Sequence, residues 1–116
     1  MTRQELINYC LTMPDTYEDY PFRDVNWTVI RCKQNNKIFA WIFERKEQIW
    51  INLKTDPEWR DFFRNSFSSI LPAYHLNKEH WNSVIMDGSV PADTVKQLIG
   101  ESYDLVKPKR RKRNDI

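Results

Sequence analysis

The sequence predicts an α+β domain, an antiparallel sheet with helices packed on one face, in the order α-βββ-α-β-α. Three observations lead there. Residues 25–54 hold three apolar runs whose separators, "KQNN" and "RKE", are too short for a crossover, so the strands form an antiparallel meander. The segments around them repeat their apolar residues at helical spacing, with start and stop signals at their ends. At 116 residues and 41% hydrophobic, the chain supplies one core and one domain.

Taken in order, Thr2 followed by Glu5 is a capping-box pattern. Behind it Leu6, Cys10 and Met13 share a stripe with Ile7 and Leu11 beside it, and Pro14-Asp15 is expected to end this first helix. "DTYEDYPFRD" (15–24) has no sustained period and reads as a loop. Strands follow at "VNWTVIRC" (25–32), "KIFAWIFE" (37–44) and "QIWINLK" (48–54), rich in β-branched and aromatic residues. Thr55-Asp56-Pro57-Glu58 starts a second helix, with proline near its first position and Glu58 placed for a capping box. That helix carries Trp59, Phe62 and Phe63. Residues 68–80 read as irregular, "WNSVIMD" (81–87) as a fourth strand, and Asp87-Gly88 as a turn. A last helix runs from about Pro91 through Val95, Leu98, Ile99, Ser102 and Leu105 until Lys107-Pro108 stops it.

Alternation splits each strand into two faces. Ile38, Ala40, Ile42, Ile49, Ile51 and Leu53 make an aliphatic face for the helices to cover. The other face collects Trp27, Arg31, Phe39, Trp41, Trp50 and Lys54, aromatic rings among basic groups. This assignment holds for strands without a bulge, since one extra residue reverses it. An aromatic and basic face is the kind of open sheet on which nucleic-acid bases stack. It also suits burial by later segments or a contact between two copies of the chain.

"AYHLNKEHW" (73–81) holds both histidines. Their spacing of five places them on one face of neither a helix nor a strand, and no cysteine stands near, so no metal site is expected. Asn77 is placed to cap a short helical turn, with Trp81 as a core anchor. Asn77, Lys78 and His80 can also donate to phosphate or base edges. The chain has two glycines and no phosphate-cradling loop, and no serine sits in the strand-turn-helix context of a nucleophile elbow. The expectation is a non-enzymatic protein without a cofactor.

Charge is unevenly spread. The net charge is −3 over residues 1–106 and +5 over the last ten, "KPKRRKRNDI". Lys107, Lys109, Arg110, Arg111, Lys112 and Arg113 therefore form a basic tail (107–116), expected to be disordered, behind a mildly acidic domain (1–106). Such a tail attracts phosphate with a steep salt dependence. No apolar run reaches the roughly 18–20 residues of a membrane span. The polar first residues do not form a leader, and Cys10 and Cys32 read as reduced, buried thiols, so a cytoplasmic setting is expected.

Four short stretches, "EDYPF" (18–22), "LKTDP" (53–57), "YHLNKEHW" (74–81) and "SYDLV" (102–106), stand in the order seen in the MmcQ/YjbR family of small bacterial proteins. The sequence resembles that family over residues 3–106. The resemblance implies a frataxin-like (CyaY-like) fold and a DNA-binding role through a "double wing" arrangement. It departs from the family pattern at Pro14-Asp15, where Pro-Gly is usual, and at Arg23, where a glycine is usual. Frataxin-like kinship also implies an iron-handling alternative. The acidic ridge this needs on the first helix is reduced here to Glu5.

DNA is thus the expected partner, held by the tail and positioned by the 77–80 groups or the aromatic face. The alternative is a small-molecule or protein-binding domain that uses the aromatic face, as a monomer or as a weak dimer through it.

Overall fold

Thr2 caps helix α1 (Arg3–Cys10) in the way its sequence demands: its hydroxyl accepts from the Glu5 N–H, and the Glu5 carboxylate accepts from the Thr2 N–H. In this computed structural model, which describes residues 1–109, the chain continues through strands β1 (Thr16–Asp19), β2 (Thr28–Cys32), β3 (Ile38–Arg45) and β4 (Gln48–Lys54). Helix α2 (Pro57–Ser66), strands β5 (Ile70–Pro72) and β6 (Trp81–Ile85) and helix α3 (Ala92–Val106) complete it. The strands form one antiparallel sheet in the order β1-β2-β3-β4-β6-β5. The fold is therefore α+β, a six-stranded antiparallel sheet with three helices.

All three helices contribute to one core. Leu6 and Cys10 of α1, Phe63 of α2 and Val95, Leu98 and Ile99 of α3 meet Ile30, Ala40, Ile42, Ile51, Leu53 and Val84 of the sheet. Each fully buried aliphatic side chain there contributes about 1.5–3 kcal/mol. Among the described residues the opposite face of the sheet carries no helix. Among the described residues no helix is long and apolar enough to cross a membrane.

Several sequence expectations are corrected. Helix α1 stops at Cys10, four residues before Pro14, because Thr12 and Met13 turn back in shorter i→i+3 bonds to Tyr9 and Cys10. Part of the expected loop 15–24 is strand β1, which pairs with β2 from Thr16↔Cys32 to Asp19↔Val29. Its residues are polar because it lies at the sheet edge. The short strand β5 lies in the segment read as irregular, at the other edge. Trp27 precedes β2 rather than lying within it. Asp56, not Thr55, caps α2 and accepts from the Glu58 N–H at 2.9 Å.

The largest correction is a β-bulge. Ile30 pairs with Ala40 while the next residue, Arg31, pairs with Ile38, so Phe39 is the extra residue in β3. Phe39 is thereby turned from the expected aromatic face into the helix-side core, its ring 5.3 Å from Tyr103 in an edge-on contact. Ile38, opposite Arg31, leaves the aliphatic set. The bulge exposes the Phe39 carbonyl to α3, where the buried Ser102 hydroxyl donates to it at 2.6 Å and accepts from the Lys54 N–H at 2.8 Å.

Two turns carry testable consequences. Arg45 pairs with Gln48, so Lys46-Glu47 is a two-residue hairpin turn, and both residues have positive φ, 52° and 63°. That geometry suits Asn-Gly far better than Lys-Glu. Changing Lys46→Asn together with Glu47→Gly is expected to stabilise the protein by about 1 kcal/mol in urea unfolding. A neutral or destabilising result would contradict the turn.

The second turn, at Asp87-Gly88, has Gly88 at φ 90°. Asp87 is held to about 2, below its ordinary 3.8, by hydrogen bonds from the Ser69 and Ser89 hydroxyls and the Ser89 N–H. A carboxylate whose pKa falls on folding stabilises the protein above its unfolded value and loses that contribution as pH drops through the folded one. The stability gap between the native chain and Asp87→Ala is therefore expected to be full above about pH 4 and to close toward pH 2. A gap unchanged across that range would remove Asp87 from this role.

Candidate functional site

The open sheet face is built on Phe43, which is fully buried even though no helix covers it. Trp27 stacks on Phe43 with ring centroids 4.2 Å apart, and Tyr74 stacks beside it at 5.8 Å. Trp41 meets Trp27 edge-on at 6.4 Å and is stacked by Phe22 at 5.8 Å. Between these rings lies a cleft of about 410 Å3, a size ordinary for a ligand pocket. Trp27, Trp41, Tyr74 and Phe22 supply its aromatic walls. Asp24, His75 and Leu76 complete the lining.

Two loops place these groups, and each is anchored by polar contacts. Asn26 acts as a strand residue in side-chain form: its amide accepts from Glu44 N–H at 2.8 Å and donates to the Glu44 carbonyl at 2.9 Å. The Arg3 guanidinium donates to the Asn26 carbonyl, to the Thr28 hydroxyl and to the Ile42 carbonyl, tying α1 to the same loop. Asp24 closes the loop as an Asx turn, one oxygen accepting from the Asn26 N–H at 2.9 Å.

The second loop crosses the sheet from β5 to β6. Asn52, fully buried on the open face, donates its amide to the Tyr74 carbonyl at 2.9 Å and accepts from the Ser83 hydroxyl, whose oxygen accepts from the Tyr74 N–H at 2.9 Å. Beyond Tyr74, His75 adopts a left-handed backbone, φ 64°, which brings its ring to 4.0 Å from Tyr74. A non-glycine residue in that region is locally strained and persists because its surroundings hold it. The Arg45 guanidinium lies over Tyr74 at 4.3 Å and over Trp50 at 5.0 Å, a double cation–π contact.

The structure sorts the expected site residues. Trp27 and Trp41 are half-buried in the cleft walls. Trp50 is on the same face but only 6% exposed, its indole N–H donating to the Arg45 carbonyl. Phe39 is absent from this face because of the bulge. Arg31 is paired with Asp19 at 2.8 Å, and Lys54 lies at the far end of β4 opposite Trp81. Neither lines the cleft.

Asn77 caps the turn it was expected to cap, its side chain accepting from the Glu79 N–H at 2.8 Å. The carbonyls of Lys78 and Glu79 are taken by Arg64 and Arg60 of α2, and the His80 carbonyl by the Thr55 N–H. This half of the segment is architecture, while Tyr74, His75 and Leu76 in the other half face the cleft. Lys107 is paired with Asp104 at 3.0 Å, and Lys109 is exposed. Arg110, Arg111, Lys112 and Arg113 lie outside the described residues. Among the described residues no group of three or more metal-ligating side chains comes together.

Phe22, Asp24, Tyr74, His75 and Leu76 were not singled out as ligand groups, yet the signal was present. Two of the four stretches shared with the MmcQ/YjbR family, 18–22 and 74–81, converge on this cleft. The other two meet on the helix side, where Ser102 accepts from the Lys54 N–H. A family model for YjbR matches residues 11–105.

The chain belongs to the YjbR family. It is 33% identical over 103 residues to the Escherichia coli K12 protein YjbR, covering 89% of this chain and 85% of that one. It is 30% identical to YyaQ of Bacillus subtilis, covering 92% of this chain and 99% of YyaQ. Crystal structures extend the YjbR-family likeness to three dimensions. A Pseudomonas syringae protein superposes with a TM-score of 0.83 at 31% identity, over 92% of this chain and all of its own. A Deinococcus radiodurans protein gives 0.84 at 34% identity, over 93% of this chain and 80% of its own.

Proposed function

We propose that this YjbR-family chain is a non-enzymatic binding module whose ligand site is the aromatic cleft on the open sheet face. The observation that carries this reading is the cleft itself: four aromatic side chains and one carboxylate around about 410 Å3, on the face that no helix covers. A solvated sheet face would normally be polar. Here two loops are instead hydrogen-bonded into place over aromatic residues, one of them through a buried Asn52–Ser83 pair. The Trp41 indole N–H is shielded and meets no acceptor among the described residues, an uncommon state for a buried donor.

The reading is tested by following the indole N–H resonances of Trp27 and Trp41 while small aromatic and cationic compounds are added. Ligands of this cleft are expected to move both resonances together and leave those of Trp59 and Trp81 in place. A library that moves neither would remove the cleft as a ligand site.

A second reading is favoured by a separate observation, six basic residues in the seven positions 107–113. It is the DNA-binding role that the family resemblance implies, with phosphate held by the basic segment. The basic groups expected to assist from the body, Arg31, Lys54 and Lys78, stand outside the cleft lining. Fluorescence anisotropy with labelled single- and double-stranded DNA tests it. Binding is expected to fall steeply with salt and to vanish when Lys109, Arg110, Arg111, Lys112 and Arg113 are all changed to glutamine. Salt-insensitive binding, or none at low salt, would rule this reading out.

A further inference from the structure

One lining residue of the cleft, Asp24, carries a carboxylate, and it faces a set of aromatic rings. An aromatic face presents the negative side of the ring quadrupole. Asp24 adds a full negative charge, and one of its oxygens is held by the Asn26 N–H while the other has no partner among the described hydrogen bonds. Rings and carboxylate together attract a cation and disfavour a phosphate or a carboxylate ligand. The same aromatic cluster already holds a cation on another side, since the Arg45 guanidinium lies over Tyr74 and Trp50.

From this we infer that the cleft binds an organic cation with an alkylated ammonium head, seated against Trp27 and Trp41 with Asp24 as its counter-charge. The inference rests on the cleft being the ligand site and names what it takes. Alkylation follows from the walls. A primary ammonium brings three N–H donors that rings cannot satisfy and one free carboxylate oxygen cannot replace. A methylated head loses no such hydrogen bonds and gains from each ring face it touches. The volume admits the head and a short stem, whether the head belongs to a free small molecule or to a methylated lysine side chain.

Calorimetry on the full chain tests it with four probes: choline, its uncharged tert-butyl isostere, a trimethyl-lysine peptide and the unmodified peptide. Choline is expected to bind about threefold more tightly than the isostere, the scale of a cation–π contact at a partly exposed site. Asp24→Asn, whose amide oxygen can still accept from the Asn26 N–H, is expected to erase most of that difference. Trp41→Leu is expected to weaken choline more than the isostere. Tighter binding of the trimethyl-lysine peptide than of choline would assign the head to a protein side chain, and the reverse order to a free small molecule. Equal affinity for choline and its isostere, or a difference untouched by Asp24→Asn, overturns the inference. If an uncharged ring compound shifts the Trp27 and Trp41 resonances and the cations do not, the cation inference falls and the cleft remains a ligand site. If no probe of either kind shifts them, both fall.

Discussion

Replacing Ser102 by alanine is expected to lower stability by about 3 kcal/mol, seen as a reduced urea midpoint at an unchanged slope. The hydroxyl is fully buried and does two jobs at once, donating to the Phe39 carbonyl and accepting from the Lys54 N–H. The β3–β4 register stops at Ala40↔Leu53, so Phe39 and Lys54 do not pair with each other and the Ser102 hydroxyl bridges them instead. Alanine keeps the packing and removes both partners, which strands two buried polar groups at about 1–3 kcal/mol each. Ser102→Thr, which keeps the hydroxyl, separates the hydrogen bonds from the packing and should recover part of the loss if the threonine methyl is accommodated. A change below about 0.5 kcal/mol in the alanine variant would show that the bulge does not depend on this contact.

Asn52→Ala is expected to be comparably costly, about 2–4 kcal/mol, and to disable the cleft as well. Asn52 is fully buried and is the link between β4, Ser83 of β6 and the Tyr74 backbone. Without it the Tyr74 carbonyl and the Ser83 hydroxyl lose a partner, and the segment that presents Tyr74, His75 and Leu76 loses its hold on the sheet. The left-handed backbone at His75 should then relax, since nothing would offset its strain. The check is twofold: urea unfolding for stability, and NMR of the folded variant under conditions where it remains native. The Trp27 and Trp41 indole resonances should broaden or shift while Trp59, on the other side of the molecule, is unchanged. Preserved stability together with a native Trp27 environment would show that the aromatic contacts alone fix the loop.

The fold was legible wherever one periodicity ran long enough. The three-strand meander and the last helix are bounded by turns or breakers, and their apolar residues repeat over seven or more positions. Strand β1 was hidden because "TYED" is an edge strand that buries little and so carries no alternation. Strand β5 has only three residues, too few for any period to appear. Phe39 was assigned to the wrong face for a different reason. A bulge adds a residue without altering composition, and the partner that stabilises it, Ser102, is 63 positions away. The cleft was half legible for the same cause. Trp27 and Trp41 lie in or beside strands whose faces can be counted. Phe22, Asp24 and His75 reach the cleft through loops, where position depends on hydrogen bonds that side-chain spacing does not encode.

The two outer margins of the sheet have a consequence for how the molecule behaves in a crowd of its own copies. β1 offers four residues, two of them acids, and β5 offers three and finishes on Pro72, which has no N–H to give. Neither margin is long or flat enough to template another strand, and on β1 a second copy would meet its own negative charges. Polymerisation by strand addition is thus discouraged at both ends, so an aromatic face left without a helix does not make the sheet a seed for fibres.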